Sequence, residues 1–342
     1  MAELCRTLLL WATCFGMLAS AAVRPPPSTV FFAALDVSPS EFTLVHAAIN
    51  TSTLFLETTV LASVPGWVLI LGDATAYDSD NHTYFATLSN ASDETSSTAL
   101  FAFDTTSGSV RFRYDFPVNV TFGMMAWEAS ISKVVGLCGS LMIDGSIDSY
   151  CAFDPATQTI APLFEFKPID GNRFFYDPDT RALDAARHLY FARLYTEPAG
   201  PWMPDNIVTL DSTNGTILNA VYGGGPEYAG TRFDAASSTL WSGSNAPGGI
   251  DLCEVDPTTG ATNPTGAWVQ GGREDTAIMA ATTAIDASGG WFFVQAVFGH
   301  SGLLMTAVDI TNADITQDRI LYNISVPRGG LVSNFHVAAS DP

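Results

Sequence analysis

Four short stretches of this chain gather side chains able to bind or transform a polar ligand. They are Asp170, Arg173 and Tyr176; Glu227, Tyr228 and Arg232; Arg273, Glu274 and Asp275; and Arg328. Two carboxylates held on either side of an anomeric carbon can hydrolyse a glycoside, one as acid and the other as base or nucleophile. An Arg beside them offers a planar fork for a carboxylate or a sugar acid. Arg173, Glu227, Tyr228, Arg232, Arg273, Glu274, Asp275 and Arg328 are therefore the candidate ligand-binding residues. The competing reading is that such Arg–acid pairs fasten neighbouring structural units together. The five histidines, His46, His82, His188, His300 and His336, are scattered, with no nucleophile–base or metal-ligand spacing.

Two oxygen-rich stretches, Asp78-Ser79-Asp80-Asn81 and Asp177-Pro178-Asp179, raise the question of structural calcium. Neither carries the Gly and Glu that complete a calcium-binding helix–loop–helix motif. No metal site and no cofactor is expected from them, and an Asp-rich turn accounts for both. The remaining acids recur too regularly for catalysis. Asp104, Asp154, Asp211, Asp256 and Asp309 each end a short apolar run, and Asp78, Glu128, Asp184, Asp234 and Asp286 each precede another. A reaction needs one such pair, whereas a turn that recurs needs many.

The elements that would position the candidates follow from that recurrence. LFAFDTTSGSV (100–110) reappears as NIVTLDSTNGTIL (206–218) and IDLCEVDPTTGAT (250–262), with looser copies at 149–160, 303–315 and 31–43. Alternating side chains make a half-buried strand. The Asp carboxylate then accepts backbone N–H groups, Gly takes a positive φ, and the chain returns. The first acid of each pair precedes the second by 26 (78 to 104), 26 (128 to 154), 27 (184 to 211), 22 (234 to 256) and 23 (286 to 309) residues. Each unit thus holds two hairpins, hence four strands. Units of about 40–50 residues with four strands have the period of a propeller blade. Counting Asp36 as the first turn acid gives six blades, and the long interval from 36 to 104 has room for a seventh. The final segment Leu331–Ala338 reads as an innermost strand lacking companions. The hairpin around Asp36 reads as outer strands lacking an inner one, so the two termini would close the ring.

The apolar-Asp-x-x-Thr/Ser-x-Gly phrase resembles the repeats of PQQ-like and YVTN-type β-propellers across most of residues 29–342. The resemblance implies the fold. Through family members that bind PQQ, it also raises a quinoprotein dehydrogenase, whose vicinal cysteine pair and regular blade tryptophans this chain lacks.

Composition sets the surroundings. The 342 residues carry a formal charge of −21 and only two lysines, Lys133 and Lys167, which argues against nucleic acid and against anionic membrane surfaces. The opening residues supply Arg6, an apolar stretch from Leu8 to Leu18 and Ala19-Ser20-Ala21, the layout of a secretory signal peptide over residues 1–22. Residues 23–28 are a Pro-rich spacer, and 29–342 form one propeller domain. Cys138 and Cys151 fall on strands joined through Asp144-Gly145 and are expected to form a disulfide, leaving Cys253 as a buried thiol. Asn50, Asn81, Asn90, Asn119, Asn214 and Asn323 head N-x-Ser/Thr sequons.

The sequence alone thus gives an all-β, six-bladed, secreted glycoprotein, monomeric, without a membrane span. Its expected role is to bind or scaffold an extracellular protein or glycan. The alternative is a hydrolase or lyase with its site in the axial funnel.

Overall fold

Runs of two to eleven residues rich in apolar and β-branched side chains, punctuated by turns, form antiparallel strands. The computed structural model describes residues 25–338, apart from 39, 71–73, 93–96, 118–119, 141–145, 168–172, 177–179, 197–204, 224–227, 247–248, 271–278, 299–301, 312–320 and 327–330. The expected signal peptide and the sequon at Asn119 lie outside these residues. Among them, the one helical element is a 3-10 turn, Ala129–Ile131, and no helix is long and apolar enough to cross a membrane.

Six antiparallel sheets make six blades. From the inside outwards, blade I is Leu331–Val337, Val30–Ser38, Glu41–Asn50 and Phe55–Pro65. Blade III is Thr121–Glu128, Lys133–Gly139, Ser149–Asp154 and Thr159–Glu165. Blade V is Tyr228–Asp234, Thr239–Ala246, Gly249–Val255 and Thr262–Gln270, and blade VI is Met279–Asp286, Trp291–Phe298, Gly302–Asp309 and Leu321–Ile324. In blades II and IV the inner strand is in two pieces. Trp67–Leu69 and Thr75–Asp78 share Thr83–Asn90, followed by Thr98–Asp104 and Val110–Asp115. Phe174–Tyr176 and Ala182–Asp184 share Leu189–Thr196, followed by Asp205–Asp211 and Ile217–Gly223. Ser146–Ile147, from the link between two strands of blade III, adds itself to Phe174–Tyr176.

The inner strands neighbour one another in a closed cycle, I–II–III–IV–V–VI–I. That cycle has no place for a seventh blade. The interval from 36 to 104 holds two strands of blade I and the first three positions of blade II. The ring is closed as expected: the inner strand of blade I comes from the C-terminal end and pairs with Val30–Ser38, Phe32 opposite His336. One position needs correction. Asp36 lies near the end of the second strand of blade I, not at the end of the third. The counterpart of Asp104 in this blade is Asn50, whose Oδ1 accepts the N–H groups of Ser52 and Thr53. Counted from Asn50, the first interval shortens from 68 residues (36 to 104) to 54 (50 to 104), in line with the others.

The turns obey one rule. The side chain that opens the turn accepts N–H groups two or three residues on. The backbone four residues on is left-handed. This holds for His82, Ser132, His188, Ser238 and Gly290 between inner and second strands, and for Leu54, Gly108, Gln158, Gly215 and Gly260 between third and outer strands. Because a four-stranded meander reverses at each turn, both sets lie on one rim of the ring. The links entering the inner strands lie on the other.

The core sits between blades, with an apolar cluster at each of the six interfaces. Phe31 of blade I meets Phe293 of blade VI edge-on, centroids 4.9 Å apart. Tyr150 and Tyr190 meet between III and IV at 5.0 Å. A blade shields neither of its faces alone, so burial of such rings, roughly 2 kcal/mol each, comes only from stacking. Cys138 and Cys151 form the expected disulfide inside blade III, their Cα atoms 6.0 Å apart on adjacent strands.

Candidate functional site

Apart from Phe174–Tyr176, which Ser146–Ile147 pairs on its second edge, each innermost strand has one edge without a partner strand. This leaves acceptors that must find donors. Two arginines supply them. Arg181, on blade IV, donates from Nη2 to the carbonyl of Thr75 on blade II, 3.0 Å away. Blades II and IV are not neighbours, so this bond spans the middle of the ring. Arg232, on blade V, donates from Nε to the Thr283 carbonyl on blade VI (3.1 Å), and from Nη1 to the carbonyls of Arg181 (3.2 Å) and Thr231 (2.7 Å). Thr75, Arg181, Thr231 and Thr283 all stand three residues before the acid that closes their inner strand. Four equivalent carbonyls at one level of the axis therefore converge on two guanidinium groups. Beside them His336 of blade I lies 2.9 Å from Thr75 Oγ1 and packs edge-on against Tyr84.

Of the candidates, Arg232 belongs to this central constellation. Arg173 is exposed and precedes Phe174–Tyr176, on the rim opposite the Asx turns, and Tyr176 is half-buried in that strand. Tyr228 begins the inner strand of blade V, opposite Ser244. Asp170, Glu227, Arg273, Glu274, Asp275 and Arg328 lie outside the described residues; in sequence they fall in the links that lead into inner strands. Arg181 was not among the candidates. A faint signal existed: blades II, V and VI place Thr at its position, and blade IV alone places a cation there.

A second polar set lies between blades III and IV on the turn rim. Glu128, fully buried, accepts Ser130 N–H (3.2 Å) and Ser130 Oγ–H (2.6 Å) through Oε1, and Ser212 Oγ–H through Oε2. His188 Nδ1 is 3.5 Å from Oε1 and 3.3 Å from Ser130 Oγ. The composition is that of a Ser–His–acid triad, but the geometry is not. Serine and acid share one imidazole nitrogen, whereas a relay needs them on opposite nitrogens. Ser288 makes the same bond to Asp286 in blade VI, so the arrangement is a turn cap extended across an interface. Tyr150 donates to the Ser212 carbonyl above it (3.2 Å), and burial pushes its hydroxyl well above the ordinary phenol range.

The turn acids do what their recurrence predicted. Asp78 accepts the N–H groups of Asp80 and Asn81, which accounts for the first oxygen-rich stretch as a turn. The second stretch, 177–179, lies outside the described residues. Two cavities are lined by described residues. One of about 10 Å³ lies between blades IV and V, beside Arg193, Thr231 and Ser242, and suits at most one water. The other, a groove of about 430 Å³, runs between Pro25–Val30 and the turn of blade VI at Asp286–Trp291.

No family model matches the chain, and no curated protein matches it in sequence. Solved structures do match in shape. A chain of a nidogen/laminin complex superposes with a TM-score of 0.58 at 13% identity, covering 92% of this chain and all of that one. A chain of the Kuenenia stuttgartiensis hydrazine synthase gives 0.51 at 10% identity, covering 91% and 90%. At these identities the likeness is one of β-propeller fold alone.

Proposed function

We propose that this chain is a secreted, glycosylated propeller that binds an extracellular protein or glycan through the rim bearing Arg173 and the links into the inner strands. The observation that carries this reading is the axial pair Arg181 and Arg232. Their guanidiniums bridge blades II, IV, V and VI at mid-ring, where an axial active site would need open space for a substrate. What remains for recognition is the rim. The two rims differ: one is built from uniform, tight Asx turns, the other carries the longer sequence links into the inner strands, and loops on a scaffold are where binding residues concentrate. The nidogen/laminin neighbour is a propeller of the same extent in a protein complex, which fits this role. Within propellers, the recurring Asp-to-Gly turn favours the YVTN/PQQ-like repeat group. Hydrolase or lyase chemistry at the axial mouth is the alternative, and the hydrazine synthase neighbour shows that an enzyme can contain this fold.

The test is secretion from a eukaryotic host, followed by binding of the purified protein to arrays of glycans and extracellular matrix proteins. The expected result is saturable binding that weakens about tenfold on reversing the rim charge in Arg173→Glu, since one charged contact contributes about 1.4 kcal/mol. Retention inside the cell, or turnover of a glycoside with no stable binding, would overturn the proposal.

A further inference from the structure

The link between the second and third strands of a blade turns back within that blade where it is short, and blades I and V use two residues for it. In blade III it takes nine, 140–148, the longest of the six, and it crosses to the neighbouring sheet. Ser146 pairs with Phe175 and Ile147 with Phe174, both of blade IV. Among the described residues, no other link of this kind adds a strand to a neighbour. Both crossing residues are buried, and Ile147 joins Phe166, Tyr190 and Leu194 in the apolar cluster between blades III and IV. The receiving strand is short. Phe174–Tyr176 has three residues, is separated from Ala182–Asp184, and pairs on its other edge with residues 194–196. It begins directly after Arg173, the exposed cation of the rim.

A two-residue strand is weakly held by its own hydrogen bonds, and closing a nine-residue link costs more chain entropy than closing a two-residue turn. Three features at the neck of the link offset this. Cys138 and Cys151 are joined, one on the strand that leads in and one on the strand that leads out. Asp148 N–H donates to the Cys138 carbonyl at 2.9 Å, and the Asp148 carbonyl accepts Phe166 N–H at 2.9 Å. Gly139 lets the returning backbone come close: a Cβ there would lie 2.3 Å from the Ser146 carbonyl oxygen and 2.9 Å from the Ile147 Cα. A disulfide acts mainly by removing open conformations of the chain it closes, and this one closes the segment that reaches blade IV. We infer that the link is a strap, locked by Cys138–Cys151, that holds residues 173–176 of blade IV in position for the ligand of the rim. This rests on the rim reading above, which supplies the ligand. The strap residues act by position, supporting the strand that carries Arg173 forward without touching what binds there.

Trypsin cutting after Arg173 reads the strap directly, because a protease needs the residues beyond the cut to leave their sheet. In the full-length protein, Cys138→Ala with Cys151→Ala unlocks the strap. Ile147→Ala keeps the disulfide and removes the buried anchor, so it answers if the double variant does not fold. Gly66→Ala, which strains the link between blades I and II, controls for general loss of stability. Peptide mass spectrometry should show cleavage after Arg173 about tenfold faster in the strap variants, with cleavage after Arg187, in the turn at the opposite rim of the same blade, unchanged. Gly66→Ala should change both sites alike or neither. On glycan and matrix-protein arrays the strap variants should lose about as much affinity as Arg173→Glu. Unchanged cleavage after Arg173, or equal acceleration after Arg187, would overturn the inference and leave rim binding intact. Faster cleavage with undiminished binding would also overturn it, provided Arg173→Glu weakens that binding. If Arg173→Glu has no effect, the rim reading falls instead, and cleavage still decides whether the strap holds its strand.

Discussion

Thr29 Oγ1 donates to Asp286 Oδ2 at 2.7 Å, joining residues 257 apart in the chain. Asp286 otherwise caps its own turn, accepting Gly289 N–H and Ser288 Oγ–H through Oδ1. The same seam between blades VI and I is tied on the outside, where Ser325 exchanges backbone hydrogen bonds with Leu54 and Leu56. Thr29→Val should therefore loosen the N-terminal segment and cost about 1–2 kcal/mol, the penalty for a buried oxygen that loses a donor. Urea unfolding measures the cost, and faster proteolysis near residue 29 would locate it. An unchanged midpoint would remove the bond from the account of closure.

Gly108 and Gly66 both have positive φ, +72° and +79°, yet their surroundings differ. A Cβ on Gly108 would lie 2.0 Å from the Leu61 carbonyl oxygen of blade I, whereas one on Gly66 meets nothing within 4 Å. Gly66→Ala should cost about 1 kcal/mol, from backbone strain alone. Gly108→Ala should cost about 3 kcal/mol or more, since overpacking between blades adds to the strain. Thermal melts of the two variants should rank in that order.

Three turn carboxyls are held below their ordinary range. At Asp104 the Arg111 guanidinium 2.7 Å away is the main cause, followed by the N–H groups of Ser107 and Thr106. At Asp211 it is the Thr213 hydroxyl first, and at Asp256 the Thr259 hydroxyl. A carboxyl depressed on folding stabilises the fold above its unfolded pKa of about 4, and that contribution is lost as pH falls through the folded value. The urea midpoint should fall on acidification below about pH 4, and less steeply in a triple Asp→Asn variant. Parallel curves would show that these turns do not couple to pH.

Cys253 is buried in blade V, its thiol 3.3 Å from the Ser242 carbonyl, and burial pushes it up to about 12. The folded state holds the thiol neutral, so this stabilisation is complete below the unfolded pKa of about 8.5 and is lost as pH rises toward the folded value. Folded protein should not react with a thiol reagent at pH 8, and unfolded protein should react promptly. Cys253→Ala should show a shallower loss of stability above about pH 8.5. Rapid labelling of the native protein would contradict the placement.

Most of the ring was legible because its code is local. An acid, one or two N–H groups and a left-handed residue four positions on are contained in five residues, and they recur. Blade I was read out of phase because Asn50 replaces the expected Asp, while LDVSPSEFT imitates the motif at the wrong turn. The axial pair resisted for the opposite reason. The partner of Arg181 is a carbonyl 106 residues away on a blade that is not its neighbour, and backbone acceptors leave no trace in side-chain identity. Arg232 was visible as a cation in the right region, but its hydrogen bonds to the carbonyls of Thr283, Arg181 and Thr231 were not. Cys138 and Cys151 were readable, since both fall on strands of a single local hairpin.

The inner strand of blade I is made after every strand of the other five blades. During synthesis, blades II to VI can each assemble from contiguous chain, whereas Val30–Pro65 must wait with one edge bare until Leu331–Val337 arrives. Any ribosome that stops short of residue 331 releases a ring missing one inner stave, with an open strand beside Phe31 and Phe293. Quality control therefore has a simple mark to recognise, and the chain discloses by its first blade whether its last one was completed.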